Sequence, residues 1–132
     1  MRIFPFFLFA LAGFFVTDAL ASDVRILKFP DSVIGTWAPG TDSCAGSAPG
    51  TINIQTKQHS TAEATCAIVW ITVTASRDGP AYSARSLCTQ TKGGKQEPPS
   101  YLVVSPRPDN KILVRMPKAS ADSDMVTYRK CL

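Results

Sequence analysis

The chain has 132 residues, of which 45% are hydrophobic and 18% charged, with a net charge of +4. That length supports one domain with one modest core, and scattered basic residues without a block of five or six give only mild attraction to acidic partners. The six aromatic residues after position 22 form no linear alternation with Arg or Lys, so the composition speaks against a nucleic-acid partner.

The chain opens on Arg2, an unbroken apolar run from Ile3 to Val16, and small residues at Ala19 and Ala21. This is the pattern of a cleaved secretory signal, and the run is short of the about 20 apolar residues that span a bilayer. The expected signal is residues 1–21, with Ser22 as the first mature residue. The mature chain is expected in the periplasm or secreted, with no membrane attachment after cleavage. Residues 22–32 read as an N-terminal tail and a short helical turn at "PDSVIG", and 33–132 as a single β domain.

From there Gly and Pro recur every eight to twelve residues, with runs of Val, Ile, Thr and Tyr between them, an all-β signature. Strands are expected at Val33–Trp37, Thr51–Thr56, Cys66–Thr74, Ala81–Gln90, Tyr101–Ser105, Lys111–Arg115 and Met125–Cys131. Asp78-Gly79 is a turn signal between the third and fourth. "SPRPDNK" is a second turn, and Lys92–Ser100 a longer loop. Apolar residues alternate with others, as in Ile52/Ile54, Val69/Ile71/Val73 and Ile112/Val114, so one face of each strand is apolar. Seven or eight antiparallel strands around one core fit a small barrel or a flattened sandwich.

Cys44, Cys66, Cys88 and Cys131 make an even count in an exported chain, which reads as two disulfides. No two cysteines are two to four residues apart and His59 is the lone histidine, so a zinc site is not expected. Three connectivities are open. If Cys66–Thr74 and Ala81–Gln90 form a hairpin, one register sets Cys66 opposite Cys88, Trp70 opposite Ala84 and Thr72 opposite Tyr82. That register favours Cys66–Cys88 and leaves Cys44 for Cys131.

Gly35-Thr36-Trp37 resembles the G-x-W signature on the first strand of the calycins. The resemblance implies a barrel closed at one end by Trp37, with Gly35 allowing close approach and Arg129, from "TYRKC", packing on the indole as a cation–π partner. The mature chain is too short for a roomy ligand cup, so side chains are expected to fill the core. The start "SDVRILKFPDSVIGTW" further resembles the bacterial periplasmic inhibitors of secreted metalloproteases, the alkaline-protease inhibitor family. That resemblance implies a partner-binding segment of Ser22, Asp23, Val24, Arg25, Ile26 and Leu27, with the Ser22 amine approaching the catalytic zinc of a secreted protease. The bare residues allow a second reading, in which Val24, Ile26 and Leu27 form an extra edge strand or cover a barrel end.

No catalytic residue is expected. His59 sits in the polar stretch "KQHSTAEAT" and reads as a solvated loop residue, no serine lies in a G-x-S-x-G turn, and "KGGK" lacks the helix of a phosphate-binding loop. The function expected is a small exported non-enzymatic binding protein without a cofactor, with inhibition of a secreted zinc protease as its specific form. The alternative is a periplasmic structural or small-ligand- or macromolecule-binding barrel, whose function would lie in loops such as Lys92–Ser100. Oligomeric state is not legible.

Overall fold

The computed structural model describes residues 23–40, 44, 50–120 and 124–132. Its strands are β1 (Val24–Ile26), β2 (Gly35–Pro39), β3 (Ile52–Ile54), β4 (Gln58–Ser60), β5 (Ala64–Ser76), β6 (Gly79–Gln90), β7 (Ser100–Arg107), β8 (Lys111–Arg115) and β9 (Val126–Lys130), with one 3-10 turn at Asp31–Val33. All pairings are antiparallel. Strands β2 to β9 pair in sequence, and β9 returns to β2, so eight strands close into a barrel. Closure leaves the barrel wall without a free edge; β1 lies outside the ring as an extra strand on β5.

The sandwich alternative is therefore replaced by the barrel, and seven of the nine strands overlap the expected ones. The short helical turn is present, and it takes Val33 out of the first barrel strand, which starts at Gly35. Strand β1 is the extra edge strand of the second reading, although it ends at Ile26 and leaves Leu27 out. The strand that sequence reading omitted is β4, whose three polar residues display no apolar alternation.

Inward positions form one contiguous core. It holds Phe29, Val33, Trp37, Ile52, Ile54 and Ile71 from the first half of the chain, and Leu102, Val104, Ile112, Val114 and Tyr128 from the second. The expected alternation at Ile52/Ile54 and Ile112/Val114 holds, since these four residues are essentially unexposed. At about 25 cal/mol per Å² of apolar area, each such side chain contributes roughly 1.5–3 kcal/mol relative to exposure.

The disulfides are Cys44–Cys131 and Cys66–Cys88. The second joins direct cross-strand partners of β5 and β6. In the chain-entropy account, closing its 22-residue separation contributes about 3 kcal/mol. The other ties the segment after β2 to the residue after β9, across the seam where the ends of the domain meet.

The register of β5 on β6 corrects the expected hairpin. Cys66 faces Cys88 and Ile68 faces Ser86, but Trp70 then faces Arg85, not Ala84, and Thr72 faces Ser83, not Tyr82. The irregularity lies between Ile68 and Trp70, where Val69 is the extra residue. A bulge of one residue reverses which side of the sheet each later side chain faces. Ile71 consequently enters the core, Val69 is left 40% exposed, and Trp70 is turned to the outer wall beside Arg85.

Candidate functional site

Three regions carry chemistry: the plugged barrel end, a cavity beside His59, and the outer wall with β1.

At the plugged end, Trp37 is 1% exposed and donates its indole N–H to the Val33 carbonyl oxygen at 3.0 Å. Burial of a large ring with its one polar atom satisfied is the arrangement a plug requires. Gly35 has φ +140°, and a Cβ there would come within 3.1 Å of Lys130 Cε. Glycine is thus favoured by the backbone angle, and a side chain there would also push the lysine stem aside by a few tenths of an ångström. The cation over Trp37 is Lys130, with Nζ 5.7 Å from the ring centroid. This corrects the expected role of Arg129, whose Nε donates to the Gly40 carbonyl at 3.0 Å and whose guanidinium reaches Cys44 Sγ at 3.1 Å. Arg129 pairs with Ala38 and Lys130 with Trp37. Adjacent strand residues face opposite ways, and buried Tyr128 marks Lys130 as the one on the Trp37 side. That alternation was available in "TYRKC".

His59 is the second correction. It lies on β4, pairs with Ile54 and Cys66, and is 2% exposed, so it is a buried residue and not a solvated loop residue. Its Nε2 meets Ser86 Oγ at 2.9 Å, and Ser86 is itself fully buried. Loss of hydration holds the imidazole well below its ordinary value, at about 4, so it is neutral at physiological pH. The polar "QHS" offers no apolar alternation to signal this burial; only its position between β3 and β5 imposes it.

A cavity of about 220 Å³ lies against His59 and the Cys66–Cys88 disulfide, bordered by Met116, Pro117 and Glu97. Lys118 and Glu97 form an ion pair of 2.9 Å at this border, with the lysine largely exposed. The Glu97 carboxyl is held below its usual range by the Lys118 ammonium, with a further hydrogen bond from Gln90 Nε2 at 3.2 Å. Loop Lys92–Ser100 therefore serves as a wall of this cavity through Glu97. Among the described residues, no three His, Cys, Asp or Glu side chains gather in a group that could hold a metal ion.

The segment expected to bind a partner is divided by the description. Ser22 and the expected cleavage point lie outside the described residues. Asp23 is exposed. Val24, Arg25 and Ile26 pair with Val73, Thr72 and Ile71 of β5, so they form a seated strand, not a free tail. Ile26 packs against the core, while Val24 and Leu27 remain 60% and 68% exposed. Phe29 is buried, and its backbone N–H donates to the Thr56 carbonyl at 2.9 Å, which anchors the segment just before the 3-10 turn. Arg25 lies over the Trp70 ring at 4.6 Å to the centroid, a contact from β1 to the outer wall.

What the fold and these regions define is a small, disulfide-bonded, closed antiparallel barrel with one strand added outside. Comparison with protein families, with curated proteins and with solved structures finds no match for this chain.

Proposed function

We propose that this protein is an exported, non-enzymatic binding barrel that acts through its N-terminal segment, and that its specific action is inhibition of a secreted zinc protease. The observation that carries this reading is β1. It is an extended strand with β5 on one side, no strand on its other side among the described residues, and exposed apolar side chains at its border, Val24 and Leu27. An extended segment with a free edge is the form that a protease cleft accepts, because substrate clefts and sheet edges both bind backbone by strand addition. Upstream of β1, the amine of Ser22 would follow Asp23 toward the metal. An α-amino group has a pKa of about 7.7–8.0, so part of it is neutral, and able to ligate a metal, at physiological pH.

The non-enzymatic part is supported by the Ser86–His59 pair. Ser86 is 0% exposed, and no carboxylate of the described residues is bonded to His59, whereas a hydrolytic serine must reach its substrate and its base must be oriented. The alternative, a small-ligand-binding barrel, is favoured by one observation, the cavity beside His59.

The test is inhibition of secreted zinc proteases by protein beginning at Ser22 and by protein with one residue added before it. Inhibition by the first and a loss of at least about tenfold in the second, equivalent to roughly 1.4 kcal/mol, is expected. Equal inhibition by both, or inhibition by neither, removes the N-terminal mechanism.

A further inference from the structure

The outer wall carries a band that no linear window of sequence displays. Trp70, Arg85 and Tyr101 are successive cross-strand partners on β5, β6 and β7. Arg85 lies 5.0 Å from the Trp70 centroid and 5.7 Å from that of Tyr101, and it donates a hydrogen bond to the Tyr101 hydroxyl at 3.0 Å. Arg25 on β1 adds a second guanidinium at 4.6 Å from Trp70. The next row of the same face runs Arg25, Thr72, Ser83, Val103, Arg115 through five strands. At a strand spacing of about 4.8 Å it extends roughly 19 Å. Beside it a groove of about 460 Å³ is bordered by Ser83, Ser100, Tyr101 and Arg115.

The charge of this wall has one sign. Every charged residue within the nine strands is basic: Arg25, Arg85, Arg107, Lys111, Arg115, Arg129 and Lys130. The acidic residues of the described chain all lie outside the strands, in loops, turns and the 3-10 segment. A net charge of only +4 conceals this segregation.

We propose that the band is a binding surface for a carboxylated polysaccharide. Stacking on Trp70 and Tyr101 holds the guanidiniums in place. A planar fork held that way is matched to a carboxylate by two parallel hydrogen bonds. Strands β1 and β6 flank β5 on opposite sides, so the two arginines approach the indole from either side. The ring is thereby occupied and is not an open platform for a nucleic-acid base, which needs a free aromatic face. The Thr72 and Ser83 hydroxyls along the row suit sugar hydroxyls. The bulge at Val69 is what makes the surface, because it turns Trp70 outward. The inference is independent of the N-terminal mechanism: Arg85 and Tyr101 belong to the band alone, and no protease enters the test.

The experiment is calorimetric titration of the exported protein with polygalacturonate, with neutral dextran and with single-stranded DNA, at low and high salt. Polygalacturonate is expected to bind, and to weaken by on the order of tenfold as salt rises through the range that screens surface charge. Arg85→Ala should lose about tenfold or more, and Arg85→Lys most of the same, because charge remains but the fork does not. Lys92→Ala, a basic residue at the start of the Lys92–Ser100 loop that does not border the groove, should bind as the parent does. Unchanged melting of the Arg85→Lys protein keeps the comparison one of binding. Equal losses in Lys92→Ala and Arg85→Ala, with Arg85→Lys binding as the parent does, would reduce the effect to net charge and overturn the proposal. Binding of dextran as tight as polygalacturonate, tighter binding of DNA, or no binding of polygalacturonate would each overturn it as well.

Discussion

The two tryptophans of this protein occupy opposite sides of the same wall. Trp37 is sealed inside, its N–H bonded to Val33 and a lysine laid over its face. Trp70 is outside and half-buried, between an exposed Arg25 and a half-buried Arg85. One residue type thus supplies buried area in one place and a stacking support for charge in the other. The lesson is that a cation–π contact says little about role until the environment of the ring is known. In the interior it closes a core, and on the wall it organises donors.

The largest effect that sharpens this contrast is Trp37→Ala, which should cost about 3–5 kcal/mol by loss of area and creation of a cavity. Urea denaturation followed by circular dichroism measures it. A cost of under about 0.5 kcal/mol, the scale of surface changes, would mean that Trp37 is not a plug.

The buried polar end of the barrel gives the next effect. His59 titrates near 4 in the fold and about 6.5 in the unfolded chain. Its folded value is the lower one, so the unfolded state binds the extra proton as pH falls. The contribution of His59 to stability is complete above about pH 6.5 and declines progressively toward pH 4. The full span corresponds to roughly 3 kcal/mol. The same denaturation series from pH 4 to 7 should show a steeper rise for the parent than for His59→Asn. Parallel pH profiles would show that burial does not set the titration of this imidazole.

The smallest effects complete the comparison. Trp70→Ala and Lys130→Ala should each destabilise by no more than about 1–2 kcal/mol, because each removes cation–π contacts and partial burial, not the core. Thermal melting of the two variants beside Trp37→Ala is the measurement. A loss at Trp70 equal to that at Trp37 would make the outer band a structural staple for β1.

Much of the architecture was legible in local chemistry. The even count of four cysteines, read with an expected exported context, pointed to two disulfides, and the cross-strand pair Cys66–Cys88 followed from a register that is correct up to Ile68. The alternation of Ile52/Ile54 and Ile112/Val114 marked the inward faces, and "PDSVIG" marked the turn before the first barrel strand. Gly35 was readable as a position of close approach, although the group that approaches is the Lys130 stem. These signals are local because a pleated strand repeats every two residues and a turn is built by the few residues within it.

Tertiary structure alone decided the rest. One extra residue at Val69 changes which side Trp70 faces, and nothing in "AIVWITV" distinguishes a bulged strand from a regular one. His59 is buried because Ile54 and Cys66 flank it across the sheet, a relation between segments and not within one. The seating of β1 on β5 likewise depends on a partner some fifty residues away, and only that seating brings Arg25 to Trp70. The arginine–aromatic band collects single residues from separate strands, each unremarkable in its own neighbourhood. Sequence therefore determined where chain turns and which residues avoid water, since both are local free energies. The sites were decided by register and closure, since those fix which distant side chains share a face.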